Sequence, residues 1–529
     1  MNEDLEITMN DLFLKKAKEM TPQLHSKTVR PKNICRIHQG NGGFQGVTVE
    51  ALGNGQESKE FFDLGDSVIY DMGEHLVGYV SFRLESVGAP ADSPVRLRLL
   101  FAETPYELTY DSSQSKSGWI SYAWMQEETL TAVWLTGMQK ISRRLAFRYM
   151  KVELVEKSTN FAVRLSDIEM EAQSAAGFAP PEIQVDQRFQ EIAEVSARTL
   201  RNCMHTVYED GPKRDRRLWV GDLRLQALTD YKLYRCTGLV KRCLYLFAGL
   251  ADSRGRIPAC LYEKPAVCAG DIYLYDYTLI YMAALADYYY ETEDRETAGE
   301  LFDLALLQFK VFVKQCAPQG EVLEQEGWWC FIDWNDQLPK RAPMQGVAIY
   351  CMEKGRALAA SLGRREDAAW LGEWSEKLKQ SAVKAFFNER TGLFEEEGKV
   401  SWAACCWLLL GGVLPQEAVK VMKRLQKDKK ALRPVTPYVY HYVAECMEKL
   451  GMQDELQELL LGYWGSMVKN GADTFWEAYR EEEPFLSPYG DCYLNSACHA
   501  WSCTPIYFLQ GKQLTEGEGY TCEPTVEQR

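Results

Sequence analysis

From about residue 58 to residue 170 the apolar positions alternate with polar ones. Val80, Phe82 and Leu84 share one side of an extended segment, with Ser81 and Arg83 on the other; Val95, Leu97 and Leu99 alternate with Arg96 and Arg98. A period of two predicts strands buried on one face. Gly65, Gly73, Gly78, Gly88, Pro90 and Pro94 supply the turns between them. The pattern predicts a β-sandwich of modest size whose last strands run over 147–154 and 163–170.

Beyond Ala179-Pro180-Pro181 the period changes to that of a helix. Met452, Leu456, Leu459, Leu460, Tyr463 and Met467 fall on one helical face, and Leu301, Leu304, Ala305, Phe309 and Phe312 on another. About a dozen such segments lie between residues 185 and 510, separated by Gly and Pro clusters. That is too many for a four-helix bundle, and no repeat of fixed period marks a superhelical array. The expected fold is mainly α with an N-terminal β domain: a β-sandwich over 1–180, an (α/α)6 toroid of six helical hairpins over 181–512, and a tail over 513–529. Loops at one end of such a ring surround a pit and carry the chemistry.

Charge and composition narrow the function. Lys and Arg number 60 against 75 Asp and Glu, a net charge of −15. An acidic chain of this size does not hold nucleic acid by neutralising phosphates. The longest apolar run, 401–410, is far shorter than the roughly 18 residues a membrane span needs. Sixteen cysteines are scattered without a CxxC pair or zinc spacing. They predict reduced, mostly buried thiols, and with the acidic N-terminus, which lacks a signal-peptide pattern, a cytoplasmic protein. No cluster has metal-ligand spacing and no glycine-rich phosphate loop is present, so neither metal nor cofactor is expected. Several of the 14 tryptophans stand beside acids in presumed loops: Trp219, Trp328, Trp329, Trp334 and Trp476. A flat ring next to a carboxylate suits a sugar, which offers C–H patches and hydroxyls together.

Four stretches carry candidate chemistry. The densest is Tyr208-Glu209-Asp210-Gly211-Pro212-Lys213-Arg214-Asp215-Arg216-Arg217-Leu218-Trp219-Val220-Gly221-Asp222, with four carboxylates and four cations. The others are Asp333-Trp334, Thr474-Phe475-Trp476-Glu477, and the segment containing His499. Together, in this order, they resemble the signature elements of glycoside hydrolase family 78, the inverting α-L-rhamnosidases. Asp71-Met72-Gly73-Glu74-His75-Leu76-Val77-Gly78-Tyr79 resembles part of that family's N-terminal β-sandwich. The resemblance implies a catalytic (α/α)6 barrel acting on a carbohydrate or glycoside substrate. It needs one carboxyl to protonate the leaving oxygen and another to activate water, about 6.5–9.5 Å apart. Matched by position, Asp215 falls on the general acid and Glu477 on the general base. Asp210, Arg214 and Asp222 fall on sugar-hydroxyl contacts. Asp333, Trp219, Trp334, Trp476 and His499 complete the implied pocket.

Two departures matter. The family's acid is more often Glu. Asp215 stands between Arg214 and Arg216, and nearby cations favour the ionised carboxylate, so Glu209 and Asp222 remain alternates. The chain is also expected to lack the C-terminal β domain of many relatives. This leaves open a homo-oligomer in which a partner subunit completes the pocket, or a preference for small glycosides. Two other readings stand beside the glycosidase. One is another helical-toroid enzyme, an unsaturated-uronide hydrolase or a phosphorylase using the cations of 213–217. The other is a catalytically idle sugar-binding protein.

Overall fold

The computed structural model describes residues 3–111, 120–324 and 329–510. Trp328 and the tail lie outside the described residues.

Among the described residues the N-terminal part forms ten antiparallel strands, the first three of them ahead of the alternating segment: β1 (His25–Val29), β2 (Asn33–Gln39), β3 (Val47–Asn54), β4 (Lys59–Phe61), β5 (Ser67–Val87), β6 (Val95–Ala102), β7 (Glu127–Ala132), β8 (Met138–Lys140), β9 (Leu145–Glu156) and β10 (Ala162–Ser174). The main order is β1-β10-β5-β9-β6-β7. β2 and β8 join β5, β3 joins β2, and β4 joins β10. Inward residues such as Val80, Phe82, Leu84, Leu97, Leu99, Phe147, Val152 and Leu165 are buried in one apolar core, as the period of two requires. β5 is irregular between Asp71 and Leu76 against β9, where Gly73 takes φ 90°. Such an irregularity re-aims side chains, and here it directs Glu74 and His75 at the helical half: Arg201 pairs with Glu74 at 3.0 Å and Asn202 donates to the His75 carbonyl at 2.7 Å.

The first helix, α1 (Glu3–Glu19), departs from the sequence expectation that placed residues 1–180 in one β domain. Phe13 and Ala17 are buried, the Arg242 guanidinium donates to the Ala17 carbonyl, and Lys16 pairs with Glu300 at 2.5 Å. α1 therefore packs on the helical half, because its apolar face finds its partners there.

That half contains α2 (Gln190–Cys203), α3 (Val220–Leu233), α4 (Thr237–Gly249), α5 (Tyr275–Thr292), α6 (Arg295–Phe312), α7 (Arg341–Leu362), α8 (Arg365–Phe386), α9 (Trp402–Leu410), α10 (Ala418–Lys427), α11 (Pro437–Lys449), α12 (Gln453–Leu459), α13 (Gly465–Lys469) and α14 (Pro505–Leu509). α3, α5, α7, α9 and α11 contact one another in sequence, and the short α14 touches α11, α3 and α2 to close the ring. These inner helices bury most of their residues, and every residue of α9 is buried. Outer helices carry one apolar stripe: α10 buries Ala418, Val421, Met422 and Leu425 and exposes its lysines. A π turn at Leu460–Trp464 joins α12 to α13 and shifts the buried face from Leu456 and Leu460 to Tyr463, Trp464 and Met467.

α7 and α9 approach closely at Gly346, where a Cβ would stand 2.6 Å from the backbone of Trp407 and Leu408. Neither backbone can yield inside a closed ring. Gly346→Ala is expected to destabilise the fold by about 1–3 kcal/mol, read as a lower urea midpoint with unchanged slope; an unchanged midpoint would show that the ring can open at this crossing.

Candidate active site

The long connections 204–219, 250–274, 313–340, 428–436 and 470–504 all precede inner helices. They gather at one end of the ring, where the helix N-termini present unpaired N–H groups and positive dipole ends. Three of the four stretches picked out in the sequence meet there through direct contacts, and Asp333 anchors the fourth to the start of α11.

The central contact joins loop 204–219 to loop 470–504. Arg214 Nη2 donates to Glu477 Oε2 at 2.8 Å, and Arg214 Nε donates to the Leu494 carbonyl at 2.7 Å. The Glu477 carboxylate is almost wholly buried, with 3% of its side chain exposed. Ser496 N–H donates to the same Oε2 at 2.9 Å, and the Tyr489 hydroxyl donates to Oε1. Burial favours the neutral acid, but the Arg214 charge and the hydrogen bonds from Ser496 and Tyr489 outweigh it and hold the carboxyl below its ordinary range. Glu477 is therefore a buried, ionised carboxylate. Tyr489 also lies under Arg214, its ring centroid 4.4 Å from the guanidinium carbon.

Asp215 takes φ 69° and Arg216 φ 53°. Two successive non-glycine residues in the left-handed region cost about 1–3 kcal/mol each, so the loop is held in this shape by its contacts. The flanking arginines of the sequence are not the ones that face Asp215. Arg214 turns to Glu477, and Arg216 donates to the carbonyls of Pro212 at 2.7 Å and Arg144 at 2.9 Å. The cation facing Asp215 is Arg217, at 3.6 Å, and 18% of the Asp215 side chain is exposed. Asp215 is the more open of the two carboxylates that the sequence singles out for catalysis.

Asp210, Asp222 and His499 form a buried group beside them. His499 Nε2 stands 3.9 Å from Asp210 Oδ2, and Nδ1 3.7 Å from Asp222 Oδ1. Burial pushes both aspartic acids well up, helped by Asp215 for Asp210 and by Glu477 and Asp215 for Asp222. It lowers His499 to about 4, leaving the imidazole neutral. Asp210 Oδ1 accepts the Arg217 N–H at 3.0 Å. Among the described residues Asp222 Oδ1 and His499 Nδ1 have no hydrogen-bond partner. Glu209 is occupied differently: Arg144 Nη2 lies 2.7 Å from each of its oxygens.

Aromatic rings line up next to this group. Trp219 meets Tyr277 edge-on at 6.2 Å, Tyr277 meets Phe331 at 5.9 Å, Phe331 meets Trp334 at 5.1 Å, and Trp334 meets Tyr489 at 5.7 Å. Trp501 stacks on Phe331 and lies against His499. Sequence reasoning chose Trp219, Trp334 and His499 but missed Tyr277, Phe331, Tyr489 and Trp501.

Two of the residues chosen from the sequence are placed differently. Trp476 points away from Glu477, as neighbours in an extended segment do. It stacks on Phe44 at 5.0 Å and meets Tyr479 at 5.4 Å, lining a cavity with Tyr106 and Glu107 to which Glu477 does not contribute. Asp333 accepts from Val435 N–H at 2.8 Å and from Thr436 N–H and hydroxyl at 3.1 and 2.7 Å. Burial raises it to about 6, and its oxygens fix the start of α11 rather than reach the pit.

A helical ring whose loops bring carboxylates, a neutral imidazole and a wall of aromatic rings together at one end defines a glycosidase of the six-hairpin class. The comparisons give the family. Residues 31–172 match the glycosyl hydrolase family 78 α-rhamnosidase N-terminal domain, and residues 185–512 match the bacterial α-L-rhamnosidase six-hairpin glycosidase domain. A rhamnosidase from Klebsiella oxytoca, solved with rhamnose bound, is 37% identical, with 94% of this chain and 98% of that one covered and a TM-score of 0.90. A family 78 rhamnosidase from a Bacillus species shares the fold at 20% identity and a TM-score of 0.72, covering 86% of this chain and 47% of the other. None of the curated proteins matches the chain. The chain belongs to glycoside hydrolase family 78 and is an α-L-rhamnosidase-type hydrolase. Among the described residues no helix is long and apolar enough to cross a membrane.

Asp333→Ala leaves three donors at 435–436 unpaired and is expected to cost about 2–4 kcal/mol of stability in urea unfolding; a change below about 0.5 kcal/mol would contradict the anchoring role. Tyr489→Phe removes one donor from an ionised carboxylate. Glu477 should then hold its proton to higher pH, so its titration, followed by 13C NMR of labelled glutamate, moves up. A titration that stays or falls would contradict the assigned hydrogen bond.

Proposed function

We propose that the chain releases terminal α-L-rhamnose, or a similar deoxysugar, from small glycosides with inversion at the anomeric carbon. The observation that carries this reading is the contrast between two carboxylates: Glu477 is buried and held ionised by Arg214, whereas Asp215, the next residue to Arg214 in the chain, is the more open of the two and faces Arg217. In this reading Glu477 takes a proton from the water that attacks C1. Asp215 gives its proton to the glycosidic oxygen as the C1–O bond breaks. Each transfer contributes on the order of 10²–10⁴ in rate, and the intervening water needs about 6.5–9.5 Å between the carboxyls. Asp222 Oδ1 and His499 Nδ1, without a hydrogen-bond partner among the described residues, meet sugar hydroxyls with Asp210, while Trp219 and Trp334 pack on the ring's C–H face.

The rhamnose in the Klebsiella oxytoca relative supports the choice of sugar. A cytoplasmic site of action is part of the proposal, supported by fourteen free cysteines among the fifteen described, most of them buried; Cys236 departs from the expected reduced state, being disulfide-bonded. The cations of loop 213–217 do not favour a phosphorylase, since carboxylates or carbonyls already engage each of them. One observation favours a second assignment of the acid: burial pushes Asp222 well up.

Glu477→Gln is expected to abolish release of p-nitrophenol from its α-L-rhamnoside. Asp215→Asn should lower it by at least about 10²-fold, with NMR showing β-L-rhamnose as the first product of the wild type. An Asp215→Asn variant near wild-type rate, with Asp222→Asn inactive, would move the acid to Asp222. Retained α-configuration would reject inversion.

A further inference from the structure

The helical loops do not hold Glu477 alone. Lys213, next to Arg214, is fully buried, yet its ammonium points away from the pit and into the β half. It lies 3.3 Å from Glu103 and 3.2 Å from Glu107, and it donates to the Asn495 carbonyl at 2.6 Å. Glu103 follows β6 and is itself fully buried. It accepts the Ala497 N–H at 2.6 Å on the same oxygen that faces Lys213. Its other oxygen accepts from His75 Nε2 at 3.1 Å. The Asn202 amide donates to His75 Nδ1 at 2.9 Å, which fixes the tautomer with the proton on Nε2. Burial would neutralise Glu103, but Lys213, His75 and Ala497 hold it low, whereas burial raises its neighbour Glu107 to about 7. The buried group therefore has one firm anion, Glu103, facing one cation, Lys213.

Two donors on Glu477, Arg214 Nη2 and Ser496 N–H, each stand one residue from a group held by Glu103: Lys213 on one strand of the contact and Ala497 on the other. We propose that Glu103, a residue of the β half, is a positioning residue for the catalytic base. It fixes Lys213 and Ala497, and through the chain it sets where Arg214 and Ser496 meet Glu477. The inference rests on the reading of Glu477 as base. The groups that face Glu477 are Arg214, His499, Tyr489 and Asp222; those that face Lys213 are Glu103, Glu107 and Arg214.

The role predicts a loss in turnover rather than in binding. With Glu103→Gln, kcat on the nitrophenyl rhamnoside should fall roughly 10- to 100-fold, with KM changed less than about threefold. The acid limb of the kcat profile should move up by about one pH unit, because a slackened donor pair holds Glu477 ionised less strongly. Glu103→Gln combined with Lys213→Met removes the unpaired cation as well. This double variant should recover thermal stability but neither kcat nor the acid limb. It carries the same test if the single variant does not fold. Wild-type kcat and limb in a folded variant overturns the positioning role alone. So does a loss that the double variant repairs together with stability, since that marks a structural charge pair. Glu477→Gln, run alongside, keeps the two levels apart: if it is as active as the wild type, the base assignment itself fails and the positioning role falls with it.

Discussion

The structure depends on one buried ion pair. Arg214 and Glu477 lie 263 residues apart in the chain, and their contact fastens loop 204–219 to loop 470–504. Taking two ions out of water costs several kcal/mol each. The pair is tolerated because the remaining hydrogen-bonding capacity is filled: Leu494 and Tyr489 engage the guanidinium, and Ser496 and Tyr489 the carboxylate. Losing either partner would leave a buried charge, which typically costs about 3–5 kcal/mol. The same interaction keeps a carboxylate ionised in a dry site and ties down the strained turn at Asp215.

The β half is a framework for those loops. Arg144 holds Glu209. Arg148 and the His75 N–H hold Asp473, four residues before Glu477. Glu103 holds Lys213 and Ala497. The irregularity in β5 that points Glu74 and His75 at the helical ring is part of this framework. Sheet and ring therefore build the site together: the ring supplies carboxylates and aromatic rings, and the sheet sets their register.

Much of this was legible in the sequence, for identifiable reasons. The change from a period of two to a helical period reflects which faces are buried, so the β half and the helical ring could be read directly. The composition of 208–222 marked a shaped loop, and the motif resemblance linked it to Glu477 and His499. What failed to show was direction. Asp333 and Trp476 have the right residue types in the right neighbourhood, but one turns to the start of α11 and the other to Phe44. Chain neighbours also misled: Arg214 and Arg216 flank Asp215 yet turn elsewhere, and Arg217 faces it. Tyr489 and Glu103 carry no local signal, and His75 showed only as part of a stretch resembling the family's β domain, because their roles arise from contacts between segments far apart in the chain. The first helix was hidden in the same way, since its partners lie beyond residue 240.

The central claim is that Asp215 and Glu477 face one another across a single sugar-sized pit. A crystal structure of the Glu477→Gln variant with an α-L-rhamnoside bound tests it most directly. The account predicts the rhamnose ring between the two side chains, their carboxyl carbons about 6.5–9.5 Å apart with room for one water on the Glu477 side. A sugar bound away from either residue, or side chains only about 5–5.5 Å apart as in retaining enzymes, would contradict it.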